Sequence, residues 1–295
     1  MSLDFIYDTP TAALLFTFIL IFCALALIGL FIFTLFTEDG FSKKFNDANT
    51  STYISVVATA MAIIIAFIIT NEYQTYSTTS LNLAREANAI YSLIAILSEF
   101  NTPESEIAIN LAVRYLCSII NIEFPLMEAG TLPGQNLCLD NLQSTVLELN
   151  PLNGKQTILY DKAIDQLDLA INLRNYRLEQ TVSSLPPEFY WLLIIGISLL
   201  IVLTWFITGN IIYRIIMTTF VTIIYSTLVT LVVLLDLPFR GYFSLSDSVF
   251  RLTLNELGIK ECPTGDCSLS PIDKTKFIKH KIMNNCDKFT EINRS

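Results

Sequence analysis

Residues 11–36, Thr11 to Phe36, read TAALLFTFILIFCALALIGLFIFTLF and hold no charged side chain. A bilayer core is crossed by about 20 apolar residues in helical form. The stretch therefore reads as a membrane span, and three more follow. Tyr53 to Thr70 (YISVVATAMAIIIAFIIT) is shorter and rich in small residues. Phe189 to Thr208 carries Tyr190 and Trp191 at one end and Trp205 at the other, which suits the aromatic belts of a membrane interface. Ile211 to Leu235 is interrupted only by Arg214, close enough to its start to snorkel toward water. Four such stretches are too many for the buried helices of a soluble protein.

Composition agrees. Of 295 residues, 53% are hydrophobic and 15% charged, against roughly 25% charged in a soluble domain. The net charge is −9 and the acidic groups lie outside the apolar runs, which argues against nucleic acid, whose phosphates require basic surfaces. The opening ten residues contain Asp4 and Asp8 but no Lys or Arg. The apolar run behind them exceeds a signal-peptide core, so no cleavable signal is expected.

These readings give an all-α integral membrane protein with four transmembrane helices in two hairpins, flanking an extramembrane helical bundle. Residues 11–70 form the first hairpin, 71–187 the bundle, 188–237 the second hairpin and 238–295 a C-terminal tail. Gly209 and Asn210 leave almost no connection inside the second hairpin, whereas about fifteen residues including Lys43 and Lys44 join the first two spans. In the bundle, Ala84, Ala87, Ala89, Ile90, Leu93, Ile94 and Leu97 recur at helical spacing. No Gly or Pro separates them from the second span, so one helix is expected to run from membrane into solvent. Asn101-Thr102-Pro103-Glu104 reads as a stop and a new capped start. A second helix is expected over Glu104–Met127, a short one over Asn141–Leu149, and a long one over Thr157–Leu185. The last carries Ile158, Ile164, Leu167, Ile171, Tyr176, Leu178 and Val182 on its apolar side. Pro186-Pro187 ends it. The bundle holds six basic and thirteen acidic residues.

Three strings carry a family resemblance: Arg85-Glu86-Ala87-Asn88-Ala89 after the second span, Arg174 and Arg177-Leu178 followed by Leu185-Pro186 and a Trp-bearing span, and Leu235-Asp236-Leu237-Pro238-Phe239-Arg240-Gly241 after the last span. In this order they resemble the bacterial bestrophin-like membrane protein family, over most of Thr11 to Leu254. The resemblance implies a ring-forming ion channel subunit, a pentamer by analogy, in which the second span lines the pore and the helical region extends it. The implied partners are the lipid bilayer, further copies of the chain and small inorganic ions; the implied location is the cell membrane, multi-pass, in a bacterial inner membrane. The alternative is a non-conducting scaffold whose bundle binds a partner.

On the second span, Ser55, Thr59, Ile63, Phe67 and Asn71 recur every four residues. As pore lining, the polar three are wetted positions, and Ile63 with Phe67 is an apolar constriction able to gate by dewetting. Small and hydroxyl residues are equally the ordinary glue between spans. Thr219, Thr222, Ser226 and Thr230 on the fourth span carry no charge and suit packing. Arg85, Glu86, Arg174 and Arg177 suit a buried ion-pair network between two bundle helices. After the last span, Asp236, Pro238, Phe239 and Gly241 form a turn in which Asp236 pairs with Arg240, caps the turn or acts as an ionisable group at the boundary.

The tail holds Cys262-x4-Cys267-x12-His280-x5-Cys286. That spacing is compatible with zinc, with disulfides such as Cys262–Cys267 or a Cys286 link to Cys117 or Cys138, and with free thiols. No cofactor is called for. There is no phosphate loop, dinucleotide fingerprint or nucleophile elbow, and one His in the whole sequence, so catalysis is not expected.

Orientation is open at this point. Lys43, Lys44 and Arg214 against an N-terminus without basic residues put the bundle outside the cytosol, an argument that Arg174, Arg177, Arg240 and Arg251 on the bundle side weaken, whereas the resemblance implies a cytosolic bundle.

Overall fold

The computed structural model describes residues 11–36, 47–183, 185–207, 210–241, 243–259 and 262. The loop with Lys43 and Lys44, and Cys267, His280 and Cys286, lie outside the described residues. The described chain is helical throughout, in order α1 (Thr11–Phe36), α2 (Asp47–Leu97), α3 (Pro103–Ser118), a π turn (Ile119–Glu123), α4 (Phe124–Glu128), α5 (Leu137–Leu147), α6 (Gly154–Val182), α7 (Pro187–Trp205), α8 (Ile211–Leu235) and α9 (Ser248–Glu256). Two compact units divide it: residues 1–78 with 183–244, and residues 79–182 with 245–295. The boundary cuts α2, an unbroken helix of 51 residues.

The first unit contains α1, the N-terminal part of α2, α7 and α8. Its core joins Met61, Ile65 and Ile68 of α2 to Leu193, Ile197 and Leu200 of α7, with Tyr225 and Val232 from α8. Two glycines set its closest approaches. A Cβ on Gly29 would sit 2.6 Å from the Trp205 ring, and one on Gly196 would collide with the Met61 sulfur. Hydroxyls are consumed inside the helices: Thr222 donates to the Thr218 carbonyl at 2.7 Å and Thr230 to that of Ser226 at 2.8 Å. Thr204 and Thr218 share a hydrogen bond of 2.8 Å between α7 and α8. The buried stripe on α8 is thus Thr218, Thr222, Ser226 and Thr230, with Thr219 only half-buried. Arg214 does not snorkel. It is buried, donates through Nη2 to the Trp205 carbonyl and lies 5.7 Å from the centre of the Phe33 ring. The free carbonyls at the end of α7 offer it a better partner than bulk water.

The second unit is built around the buried stripe Leu83, Ala87, Ile90, Leu93 and Leu97 of α2. Asn101, at φ 53°, turns the chain, and Thr102 caps α3. The Thr102 hydroxyl accepts from the Ser105 amide at 3.2 Å, the Thr102 amide donates to Ser105 Oγ at 3.1 Å, and Pro103 takes the first turn. The helix expected over Glu104–Met127 is not uniform, for a π turn replaces its middle. There the Phe124 amide donates to the Ile119 carbonyl, and Pro125 follows with no amide of its own to give. α5 starts at Leu137, four residues ahead of expectation, because Asn136 accepts from the amides of Cys138 and Leu139. On α6 the buried residues are Ala163, Leu167, Ala170, Leu173, Arg174, Arg177 and Thr181, while Ile158 and Val182 are exposed. Gly258, at φ 76°, closes α9, with the Ile259 amide donating to the Leu254 carbonyl at 2.9 Å.

Among the described residues five helical stretches are long and apolar enough to cross a membrane: α1, α2, Pro103–Glu128, α7 and α8. The third differs in being 67% buried within the protein, against 39% or less for the others. Its apolar side chains already serve a protein core.

Candidate functional site

Every one of Ser55, Thr59, Ile63, Phe67 and Asn71 is exposed, Ile63 by 53% and Phe67 by 73%. The opposite side of α2 carries Met61, Ile65, Ile68 and Glu72, all buried. The stripe on α2 is therefore bare in the single chain, with the Thr59 hydroxyl folded back on the Ser55 carbonyl at 2.8 Å. α1 is bare as well, but with different chemistry. Phe16, Leu20, Leu25, Ile28, Phe31 and Leu35 are exposed there, a surface suited to lipid chains. On α2 the exposed positions between Ser51 and Asn71 include Ser51, Thr52, Ser55, Thr59 and Thr70 beside Ala60, Ala62 and Ala66. Hydroxyls and methyls in such density serve close helix packing or water better than they serve lipid.

In the second unit the charged residues converge. Arg177 is 1% exposed and Glu86 0%. Arg177 reaches Glu86 through Nε at 2.9 Å and through Nη2 at 3.0 Å, a two-pronged pair. Its Nη2 also meets Glu123 at 2.6 Å. Arg174 binds the same Glu123 at 2.8 Å and the Gly134 carbonyl at 2.9 Å. Tyr115 donates to Glu86 at 3.0 Å and Asn136 to Glu123 at 2.8 Å. The rings of Phe124 and Phe250 each lie 5.8 Å from the Arg177 guanidinium carbon.

Arg85 is not a member. One residue from Glu86, it falls about 100° around the helix and onto the exposed side. The fourth charge is Glu123, buried on the π turn and absent from the sequence expectation. Two guanidinium and two carboxylate groups make a cluster of no net charge. Burial works to raise the Glu123 carboxyl, but Arg177 and Arg174 outweigh it and hold the group below its ordinary range. Burial, with Glu86 beside it, pushes the Tyr115 phenol well up, so it stays a donor. Such a set is fit to fix helix register and offers no free group for chemistry.

The turn after α8 is also ordered. Asp236 is buried and accepts from the Leu185 amide and from Tyr190. It thus holds the chain directly before Pro186-Pro187, where prolines supply no amide, rather than pairing with Arg240. Phe239 is 1% exposed, Pro238 is buried, and Gly241 takes φ 82°. Glu72 of α2, also buried, feels the charge of Asp236. Sequence reading missed Glu72 and gave Tyr190 a place in the aromatic belt rather than a bond to Asp236.

The bundle cysteines are paired. Cys117 bonds to Cys262, 145 residues away, which displaces the Cys262–Cys267 expectation. Cys138 is disulfide-bonded too. Among the described residues no cluster suited to a metal occurs.

No curated protein matches this chain. Among solved structures it resembles a bacterial bestrophin homolog from Klebsiella pneumoniae, phased on zinc, with a TM-score of 0.63 and 14% identity over 83% of this chain and 99% of that one. Two point variants of that homolog give TM-scores of 0.62 at 15% and 14% identity, covering 82% and 85% of this chain and 98% and 100% of theirs. At such identity the likeness speaks for the fold. The family model of the bestrophin-like domain matches residues 20–250. With the all-helical architecture, the apolar helices and that match across most of its length, this chain belongs to the bestrophin-like domain family.

Proposed function

We propose that the chain is a subunit of a ring-shaped ion channel in the cell membrane, most simply a pentamer of four-span subunits, with the bare face of α2 lining the pore. The observation that carries this reading is the contrast between two exposed faces in one unit. α1 offers lipid-compatible Phe, Leu and Ile, while α2 offers Ser55, Thr59, Asn71 and small residues around Ile63 and Phe67. Around a shared axis those hydroxyls meet water, and the two apolar side chains form a dewetting constriction. The described part of that stripe carries no basic ring, and the bundle is acidic. Hydroxyls and an amide solvate either sign of ion, so discrimination between anions and cations is expected to be weak.

The test is purification in detergent, measurement of oligomer mass, and recording in a planar bilayer. The reading predicts a closed oligomer, a conductance that rises in Phe67→Ala, and a small reversal potential in asymmetric KCl. A monomer, or an oligomer that never conducts, removes the channel and leaves a membrane scaffold. Unchanged currents in Phe67→Ala move the gate elsewhere.

A further inference from the structure

We infer that the helical unit of residues 79–182, with the chain out to Cys262, faces the exoplasmic side of the membrane, where an oxidising thiol–disulfide exchange enzyme joins Cys117 to Cys262. The inference is independent of conduction.

The first observation is the state of the cysteines. Cys117 is 5% exposed and bonded to Cys262, and Cys138, 1% exposed, is disulfide-bonded as well. Cys23, the free cysteine among those described, lies within α1, in the apolar stretch that reads as a span. Disulfides persist in the periplasm and outside the cell, whereas cytosolic thiol pools keep cysteines reduced. A cytosolic unit would hold two free thiols here instead of a bond. Formation takes two electrons and two protons from the Cys117 and Cys262 thiols. One thiolate attacks the disulfide of the oxidised enzyme to give a mixed disulfide; the other displaces the enzyme sulfur, which leaves as a dithiol.

The second observation is charge beside the first span, which commonly dominates orientation. Residues 1–10 contain no Lys or Arg, and Lys43 and Lys44 follow Phe36 closely. The basic flank stays in the cytosol, so residues 1–10, on the other side of the first span, do not. The bundle sits after a second crossing and shares the side of residues 1–10. The arginines of the bundle do not oppose this. The rule counts loops up to about 60 residues, and longer segments translocate largely regardless of their charge. The segment from Asn71 to Pro187 is well past that length. Lys260, where the lysines of the tail begin, is likewise distant from the end of α8 at Leu235. Arg240 and Arg251, both behind α8, argue the other way, against Lys43, Lys44 and Arg214.

The experiment uses the full chain in the membrane of the producing cell. Two single-site variants, Leu152→Cys in the bundle and Lys44→Cys between the first two spans, are treated with a membrane-impermeant maleimide in sealed spheroplasts, and labelling is located by peptide mass spectrometry. Leu152 is 82% exposed, so its replacement leaves the core intact. The expected result is labelling of Leu152→Cys in sealed spheroplasts and of Lys44→Cys only after detergent. The reverse pattern overturns the inference. Independently, wild-type protein alkylated at harvest and digested without reductant is expected to yield the peptide pair joined through Cys117 and Cys262. Alkylated Cys117 and Cys262 in place of that pair would overturn the enzymatic bond even if the labelling came out as expected.

Discussion

A guanidinium, Arg177, is among the large side chains fully buried in the bundle unit, whereas in the membrane unit two glycines, Gly29 and Gly196, admit side chains of neighbouring helices so closely that no Cβ would fit. In water, apolar burial drives collapse, and a buried charge cluster can be tolerated because it fixes one register among several. In lipid there is little apolar gain from bringing helices together, so fit of shape and short hydrogen bonds carry the association. The two units thus answer the same demand, a single arrangement of helices, with materials their solvents favour.

The sharpest break of that comparison is Arg177→Met. It leaves Glu86 facing Tyr115 without its cation, and Glu123 with Arg174 alone. Removing one partner of a buried ion pair costs about 3–5 kcal/mol. Hydrogen exchange of the detergent-solubilised protein should show residues 79–182 losing protection while the α7 and α8 segments keep theirs. Equal loss in both units would mean that the two do not fold as separate bodies. Next in size, Gly29→Leu drives a branched side chain into the rigid ring of Trp205, an overpacking cost of about 1–3 kcal/mol. Here the loss of protection belongs in α1 and α7, and thermal scans should show a lowered transition with the bundle unaffected. The smallest is Thr102→Ala, which deletes the cap of α3 at a cost of about 1 kcal/mol. Exchange should accelerate in the first turn after Pro103 and nowhere in the membrane unit.

Spans were the most legible part of the sequence, because a bilayer imposes length and apolarity on a run of adjacent residues. α1 and α8 end just short of the next charged residue, at Phe36 two residues before Glu38 and at Leu235 one residue before Asp236. The cap at Thr102 was legible for a similar reason, being local chemistry. The charge cluster was readable only in part. Glu86 and Arg177 lie on regular helices and meet directly, and Arg174, one turn before Arg177, joins them through Glu123. Glu123 does not follow the regular helical count, since the π turn inserts a residue and re-aims it, and nothing in Ile119-Ile120-Asn121-Ile122-Glu123 announces the change of period. Arg85 was misjudged because adjacency in sequence is a third of a turn in space. On α8 the face is as expected at Thr222, Ser226 and Thr230 and differs at its first position, where Thr218 takes the place of Thr219 because the Thr204 hydroxyl lies across from it. A link from Cys117 to Cys262 was beyond any local pattern.

That link has a consequence for biosynthesis. Both α7 and α8 lie between its two cysteines, and Cys262 is made after them. The bond can close only when the intervening chain has crossed the membrane an even number of times. A nascent chain that inserts one of the pair and leaves the other behind strands Cys262 across the bilayer from Cys117. The disulfide is therefore a parity check on insertion, written into the protein after translation has passed the last helix that could fail.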